Sequence, residues 1–231
     1  MNRNIKAINF LQNIMHENPG ASIMTHIVGG YLTAKESNEL LHAMSDVGVE
    51  FTEIQIPFSD PIADGPTILH ANTKALEHGT TPKDCFQLAT NFNGKQKILF
   101  MMYYNIVLSF GISVFLENCK QAGVYGLIVP DIPYDMDYYE HFYTKANECG
   151  IQILPVISPI TPAERLREIA KFNPEVVYCV SQFGTTGSAA NFSKLEAYLQ
   201  RVKQVFGDET QLAVGFGVQS SDDVKKVLHA G

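Results

Sequence analysis

The sequence has no concentration of basic residues, which argues against one large class of partners. Among its 231 residues, 17 are Lys or Arg and 24 are Asp or Glu, giving a formal charge of −7. Proteins that bind nucleic acid need Lys and Arg gathered on one surface, so we expect no nucleic-acid partner. If an anionic ligand is bound, we expect backbone N–H groups to bind it locally.

The usual spacings of metal sites and disulfide frameworks are also missing. The four cysteines, Cys85, Cys119, Cys149 and Cys179, lie far apart and form no CxxC pair. The seven histidines form no HExxH pair, and a lone histidine such as His26 or His70 is more often structural than a ligand. We therefore predict no metal, and the cysteine pattern fits a reducing cytoplasm.

Secretory and membrane-spanning segments are not predicted either. The first twenty residues have the amphipathic spacing of a surface helix, with polar residues throughout, rather than that of a signal peptide. The stretch 98–116 carries no charged residue, but Asn105, Ser109, Gly111 and Ser113 interrupt it. We interpret it as a buried strand followed by a loop and a helix, and not as a membrane span.

What the sequence does contain is a recurring unit of helix, glycine, apolar strand and capped helix. Gly48, Gly123 and Gly150 each follow a helical pattern at the position where a left-handed C-cap releases the chain into a strand. Helix starts are predicted where a capping residue precedes an acid by three positions: Thr33 with Glu36, Thr161 with Glu164, and Ser220 with Asp223. In the second of these, Pro162 is predicted at the first helical position.

The order of these units predicts an α/β fold, a (βα)8 TIM barrel forming a single domain over residues 1–231. Seven strands are predicted, at 22–28, 50–56, 97–102, 125–129, 152–157, 176–180 and 211–216. The sequence ends at 229–231 with the pattern that elsewhere closes a helix before a strand, so it looks truncated where an eighth unit would begin. A genuine seven-stranded barrel is the alternative, at the cost of two unpaired sheet edges.

The segment 51–66, FTEIQIPFSDPIADGP, carries the candidate catalytic residues. Side chains alternate along a strand, so one face is apolar and the other polar. The apolar face carries Thr52, Ile54 and Ile56, and the polar face carries Glu53 and Gln55. In a barrel the polar face points inward, so we expect desolvation to raise the pKa of Glu53, whereas Asp64, in the loop, is expected to stay ionised.

Simpler interpretations of the same residues exist. A strand glutamate is more often half exposed at a sheet edge, and DPIADGP is compatible with an ordinary turn, because Asp, Gly and Pro dominate turns. The density of acids and prolines in so short a segment favours a shaped loop over a random one.

Five motifs resemble those of the tryptophan synthase alpha subunit family. They are EIQIPFSDPIADGPT at 53–67, MYYN at 102–105, VPDIP at 129–133, SQFGTTG at 181–187 and GFGV at 215–218. They occur in the family's order and cover essentially the whole sequence except the eighth unit. The sequence also contains no Trp, which suits an enzyme made during tryptophan shortage.

The resemblance implies a lyase that cleaves indole-3-glycerol phosphate into indole and glyceraldehyde 3-phosphate by a retro-aldol reaction, with no cofactor in this chain. It assigns the proton transfers to Glu53, and to Asp64 the stabilisation of the positive charge that develops at the indole ring nitrogen. This division agrees with the expectation of one carboxyl with a raised pKa and one that stays ionised.

The resemblance also implies a set of substrate-binding residues. They are Tyr103 and Tyr178 in the pocket, Ile128 on its apolar wall, Thr186 closing a loop over Asp64, Gly187 and Gly217 at the phosphate, and Phe216 beside the indole. From the residues alone, the glycines are equally explained by tight turns, and the tyrosines and Ile128 are more often core. The family's third phosphate-binding element, a Gly-Ser after strand eight, is missing from this sequence.

Two positions depart from the family pattern. Gly30 stands where an acidic residue is usual, and Gln182 where Arg is usual. Neither position carries the implied proton transfers, so we expect altered loop motion or partner signalling rather than a different reaction.

A partner is implied as well. Family members bind a pyridoxal phosphate-dependent beta subunit in an alpha2-beta2 assembly and pass indole to it, and the resemblance places Pro57, Asp60 and Pro61 at that interface. The pyridoxal phosphate belongs to the beta subunit. Two alternatives remain open: another phosphate-binding barrel aldolase or isomerase, and a non-catalytic subunit that only activates the beta partner.

Overall fold

A computed structural model describes residues 2–132, 141–180, 194–215 and 220–230, and in it short strands alternate with helices. The strands are β1 Met24–Val28, β2 Phe51–Gln55, β3 Lys97–Met101, β4 Gly126–Ile128, β5 Gln152–Ile153, β6 Val156–Ile157, β7 Val176–Val180 and β8 Gln211–Gly215. Each of the seven predicted strands is present within one or two residues of its predicted bounds, with 152–157 divided into β5 and β6.

Helices connect these strands and lie outside them. They are α1 Asn2–Glu17, α2 Ala34–Asp46, α3 Pro66–Glu77, α4 Pro82–Asn91, α5 Tyr104–Phe110, α6 Ile112–Gln121, α7 Phe142–Glu148, α8 Ala163–Ala170, α9 Leu195–Phe206 and α10 Ser221–Ala230. The uncharged stretch 98–116 forms most of β3, all of α5 and half of α6. The predicted strand is confirmed, whereas two helices follow it in place of the predicted loop and helix. None of the described helices is long and apolar enough to cross a membrane.

All strand pairs are parallel. One sheet has the order β1-β2-β3-β4-β5, and a second has the order β6-β7-β8. Between β5 and β6, the N–H of Leu154 donates to Leu127 (2.9 Å), and the carbonyl of Pro155 accepts from Tyr178 (2.9 Å). Because Pro155 has no N–H to donate, the regular ladder stops there, and the same short segment is bonded to β4 on one side and to β7 on the other.

The helix boundaries follow the predicted caps in most cases. Thr33 and Glu36 form a capping box at the start of α2, and Ser220 accepts from the N–H of Asp223 at the start of α10. The predicted start at Pro162 is one residue too early: Pro162 has ψ 148° and is the N-cap of α8. The hydroxyl of Thr161 instead accepts from the N–H of Ser158, which stabilises the preceding turn.

Two apolar layers lie on opposite faces of the strands. The outer layer packs strand residues against the helices, for example Ile54 and Phe100 against Phe86 and Leu116. The inner layer joins residues of several strands to one another, including Phe51, Leu99, Met101, Ile128 and Val176. Parallel strands with a packed interior and helices outside are the layers of an α/β barrel.

The three glycines predicted to end helices have the expected backbone conformation, with φ of 89°, 71° and 74° at Gly48, Gly123 and Gly150. All four cysteines are free thiols. Three of them are buried, Cys85, Cys119 and Cys179, whereas Cys149 is partly exposed.

The outer layer is expected to provide a large part of the folding free energy. The Phe115 side chain is fully buried, with its ring centroid 5.4 Å from that of Phe86 and 5.8 Å from that of Phe110. We predict that Phe115→Ala lowers the free energy of unfolding by about 3–5 kcal/mol because it leaves a cavity. Val114→Ala, one residue earlier in α6 and 56% exposed, should change it by less than about 0.5 kcal/mol. Urea unfolding measures both, and equal losses would contradict the assignment of the core.

Candidate active site

Glu53 lies in the centre of β2 and faces the inner layer. It is in register with His26 of β1 and Leu99 of β3, and it shares its face with Phe51 of the inner layer. Its neighbour Ile54 lies in the outer layer. The predicted orientation of β2, with its acid inward and its isoleucines towards the helices, is therefore confirmed.

The environment of the Glu53 carboxyl group is nearly dry. The residue is only 6% exposed, and no hydrogen bond to its carboxyl group is present within the described part of the chain. Burial penalises the charged form and raises the pKa of Glu53 to about 8. At neutral pH a large fraction of this group therefore carries a proton.

Tyr178 of β7 lies close enough to Glu53 for the charge of the carboxylate to change the pKa of the tyrosine. Burial, and then the charge of Glu53, raise the pKa of Tyr178 well above its ordinary value. The tyrosine ring lies against the backbone of Gly215, where an added Cβ would be 2.2 Å from the Tyr178 hydroxyl oxygen. Gly215 is thus the residue that makes room for this side chain inside the barrel.

Asp64 lies in the loop between β2 and α3, at the carboxyl-terminal mouth of the strands. Its Oδ2 accepts hydrogen bonds from Gln55 Nε2 at 2.6 Å and from Asn72 Nδ2 at 3.1 Å. Burial raises the pKa of Asp64 above its ordinary value. The hydrogen bond from Gln55, the charge of His26 and the hydrogen bond from Asn72 all act in the opposite direction. The expectation that this loop acid stays ionised remains a prediction.

Two of the residues around Asp64 were not singled out from the sequence. His26 was interpreted as structural, yet its Nε2 lies 2.8 Å from Gln55 Oε1, and so it is joined to Asp64 through one side chain. Burial lowers the pKa of His26, while the hydrogen bond to Gln55 and the charge of Asp64 raise it. Asn72 projects from the second turn of α3 and is fully buried. No pattern within β1 itself points to His26, which shares its face with Met24 and Val28; the register that pairs it with Glu53 brings it into the site.

Tyr103 and Phe58 fix the loop that carries Asp64. The two rings stack at 5.2 Å with an interplanar angle of 28°, and the Tyr103 hydroxyl oxygen accepts from the N–H of Ala63 at 2.9 Å. The N–H of Phe58 donates to Asn72 Oδ1 at 3.2 Å. Burial raises the pKa of Tyr103 to about 12, so its phenol is neutral at physiological pH.

The remaining predicted residues divide into three groups. Ile128, at the end of β4, lies in the inner layer beside Tyr103. Of the predicted interface residues, Pro57 is buried, Pro61 is half-buried and Asp60 is exposed. Four predicted substrate-binding residues lie outside the described residues: Thr186, Gly187, Phe216 and Gly217. Within the described ranges, no three His, Cys, Asp or Glu side chains gather as they would around a metal ion.

An enclosed acid of raised pKa, with a second acid at the mouth of a parallel barrel, defines an enzyme of the acid–base type. The model of the tryptophan synthase alpha chain family matches residues 11–231. The chain belongs to the tryptophan synthase alpha chain family.

Individual relatives agree with this membership. The tryptophan synthase alpha chain of Desulfotalea psychrophila is 37% identical over 209 residues, covering 89% of this chain and 81% of that one. The alpha chain of Petrotoga mobilis is 36% identical over 210 residues, covering 90% and 80%. The chain thus spans about four-fifths of the length of these relatives.

Solved structures confirm the predicted barrel fold. A chain of the tryptophan synthase α2β2 complex from Pyrococcus furiosus is similar with a TM-score of 0.82 and 32% identity, covering 91% of this chain and 84% of that chain. The alpha subunit from Campylobacter jejuni is similar with a TM-score of 0.80 and 25% identity, covering 94% and 86%.

The raised pKa of Glu53 predicts a distinctive pH dependence of stability. Between pH 4.5 and about 8, the folded chain holds a proton on Glu53 that the unfolded chain has released. The free energy of unfolding should therefore fall as the pH rises through this range. Glu53→Gln removes this loss. The free energy of unfolding of the variant minus that of the native chain should therefore increase by roughly 2–5 kcal/mol from pH 4 to pH 9.

Urea unfolding at a series of pH values measures this difference. Glu164→Gln, at the exposed start of α8, is the control for the loss of one carboxyl group. If the free energy of unfolding of Glu53→Gln changes with pH in the same way as that of the native chain, Glu53 is not desolvated.

Proposed function

We propose that this chain catalyses the reaction of its family, the retro-aldol cleavage of indole-3-glycerol phosphate into indole and glyceraldehyde 3-phosphate. The observation that carries the proposal is the pair of carboxyl groups on β2 and on the loop that follows it. One is buried without a hydrogen-bond donor among the described residues, and the other is held by two donors. The reaction needs both: an acid that exchanges protons near neutrality, and an anion that faces a developing positive charge.

Glu53 is the proton-transfer group in this proposal. Cleavage of the carbon–carbon bond requires a proton on the indole ring carbon and removal of a proton from the side-chain hydroxyl. A carboxyl group with a pKa of about 8 is populated in both forms near neutral pH, so it can give one proton and accept the other. An ordinary exposed glutamate would be almost entirely ionised at that pH.

Asp64 is the group that holds the indole ring nitrogen. Gln55 and Asn72 both donate to Oδ2, so within the described residues Oδ1 has no donor. A free carboxylate oxygen at the barrel mouth can accept the ring N–H and stabilise the positive charge that develops when the ring is protonated. The neutral phenol of Tyr103 fixes the loop that carries Asp64.

The other substrate contacts belong to the same proposal. Ile128, Tyr103 and Tyr178 line the interior beside Glu53 and form the apolar wall expected for an indole ring. We assign Phe216 to the ring, Gly187 and Gly217 to the phosphate group, and Thr186 to the loop that covers Asp64. No cofactor is needed in this chain, because the protonated indole ring accepts the electrons of the breaking carbon–carbon bond while the hydroxyl loses its proton and becomes the new carbonyl.

We also propose that the chain works in a complex with a beta subunit, which holds the pyridoxal phosphate. The relative from Pyrococcus furiosus was solved as an α2β2 complex. The loop that holds Pro57, Asp60 and Pro61 borders the mouth of the barrel, and its exposed residues include Asp60 and Ile62, the latter 78% exposed. A partner that covers this loop would receive indole directly from the site.

Glu53→Gln is expected to remove catalysis and to preserve the fold. The amide keeps the shape of the side chain but cannot transfer the proton, so we predict that kcat falls at least roughly 100-fold. Release of indole and of glyceraldehyde 3-phosphate from indole-3-glycerol phosphate measures the rate. Glu50→Gln, one residue before the same strand and with a side chain 44% exposed, should stay close to the native rate. Near-native cleavage by Glu53→Gln would reject the assigned role.

Complex formation is tested with a tryptophan synthase beta subunit. We predict that it binds the chain and raises the cleavage rate, and that Asp60→Lys weakens binding roughly tenfold or more, because the charge is reversed at the interface. Glu39→Lys, an exposed acid on α2, should bind as the native chain does. Isothermal titration and the indole assay report binding and rate; activation of the beta subunit without any cleavage would instead favour a non-catalytic activator.

A further inference from the structure

A continuous row of hydrogen bonds runs from β1 to the loop that carries Asp64. His26 Nε2 lies 2.8 Å from Gln55 Oε1, and Gln55 Nε2 lies 2.6 Å from Asp64 Oδ2. The middle member, Gln55, is fully buried. It lies at the end of β2, two residues after Glu53, and on the same inward face.

The chemistry of Asp64 sets the direction of each bond in this row. An ionised carboxylate only accepts hydrogen bonds, so the Gln55 side chain must turn its NH2 group towards Asp64. Its carbonyl oxygen then faces His26 and needs a donor. A neutral His26 must therefore carry its proton on Nε2. Asp64 thus sets the tautomer of His26 through Gln55, without a direct hydrogen bond between them.

We propose that His26 and Gln55 form a relay of positioning residues for Asp64. Gln55 holds one oxygen of the carboxylate in place, and His26 holds the Gln55 amide in the orientation that allows it to donate. Asn72 donates to the same oxygen from α3, so within the described residues Oδ1 has no donor and is available to a ligand. The catalytic consequence of the relay rests on the role proposed for Asp64, whereas its hydrogen-bond pattern does not.

Because Gln55 is fully buried, its side-chain amide needs both hydrogen-bond partners. A buried amide that loses either partner keeps an unsatisfied polar atom, which is costly in a fully buried position. Reversing the amide would place its oxygen against the Asp64 carboxylate and its NH2 against the Nε2–H of His26. Both contacts are repulsive, so a single orientation is stable while Asp64 is ionised.

Nitrogen NMR of histidine side chains tests the relay without any assay of activity. In the native chain labelled with 15N-histidine, His26 is expected as the Nε2–H tautomer, and His26→Gln identifies its signals among those of the seven histidines. Asp64→Ala should reduce the preference of His26 for this tautomer, because the Gln55 amide is then free to reverse. A native His26 protonated on Nδ1 would overturn the relay, whether or not any variant folds. A tautomer preference unchanged in Asp64→Ala would overturn it as well.

Kinetics of matched variants test the effect on catalysis. Gln55→Met keeps the size of the side chain but removes its hydrogen bonds, so we expect kcat to fall about tenfold or more. Gln96→Met is the control, because Gln96 is a buried amide that bonds to Leu41 and Thr52 and does not contact Asp64. Its kcat should stay within about twofold of the native value.

Rescue at position 26 separates positioning from packing. His26→Phe removes the donor and should reduce kcat, whereas His26→Gln provides an N–H near the position of Nε2 and should restore most of the loss. The relay is rejected if Gln55→Met is no more impaired than Gln96→Met, or if His26→Gln is as impaired as His26→Phe. Failure of the native chain to cleave indole-3-glycerol phosphate would reject the proposed function, and the NMR measurement would still decide the relay.

Discussion

The register between β1 and β2 is the constraint on which the site depends. It pairs His26 with Glu53 and Val28 with Gln55, and the alternation of side chains directs Glu53 and Gln55 into the barrel. A slip of one residue would turn Glu53 and Gln55 towards the helices and bring Ile54 into the interior. The apolar contacts of Ile54 with the outer layer oppose such a slip, so packing on one face of the strand protects the chemistry on the other.

The segment 53–64 places two carboxyl groups in different electrostatic environments. Glu53 is buried, and its charged form is penalised. Asp64 is also partly buried, but Gln55 and Asn72 provide donors that favour its charged form. Desolvation acts on both groups, and the difference between them comes from hydrogen bonding. The donors to Asp64 therefore distinguish it from Glu53, although the two acids lie in one short segment of chain.

Local patterns in the sequence predicted the features that depend on near neighbours. The alternation along 51–56 gave the orientation of Glu53, and the capping box at Thr33 gave the start of α2. Contacts between distant elements were not predicted. His26 resembles any lone histidine until the register brings it beside Gln55, and Asn72 resembles a helix residue until the loop folds over it. The division of the strand at Pro155 was not predicted either, although Pro155, which has no N–H to donate, marks its position in the sequence.

The burial of three of the four thiols allows chemical labelling of cysteine to report unfolding of the chain. Burial raises the pKa of Cys85 and of Cys179 to about 12 and also raises that of Cys119, so these three sulfurs are protonated and shielded while the chain is folded. Cys149 alone is partly exposed. Alkylating reagents act on the accessible thiolate, so the native protein should be labelled at one sulfur and the denatured protein at all four. The mass added by such a reagent would then follow local opening of the barrel, element by element.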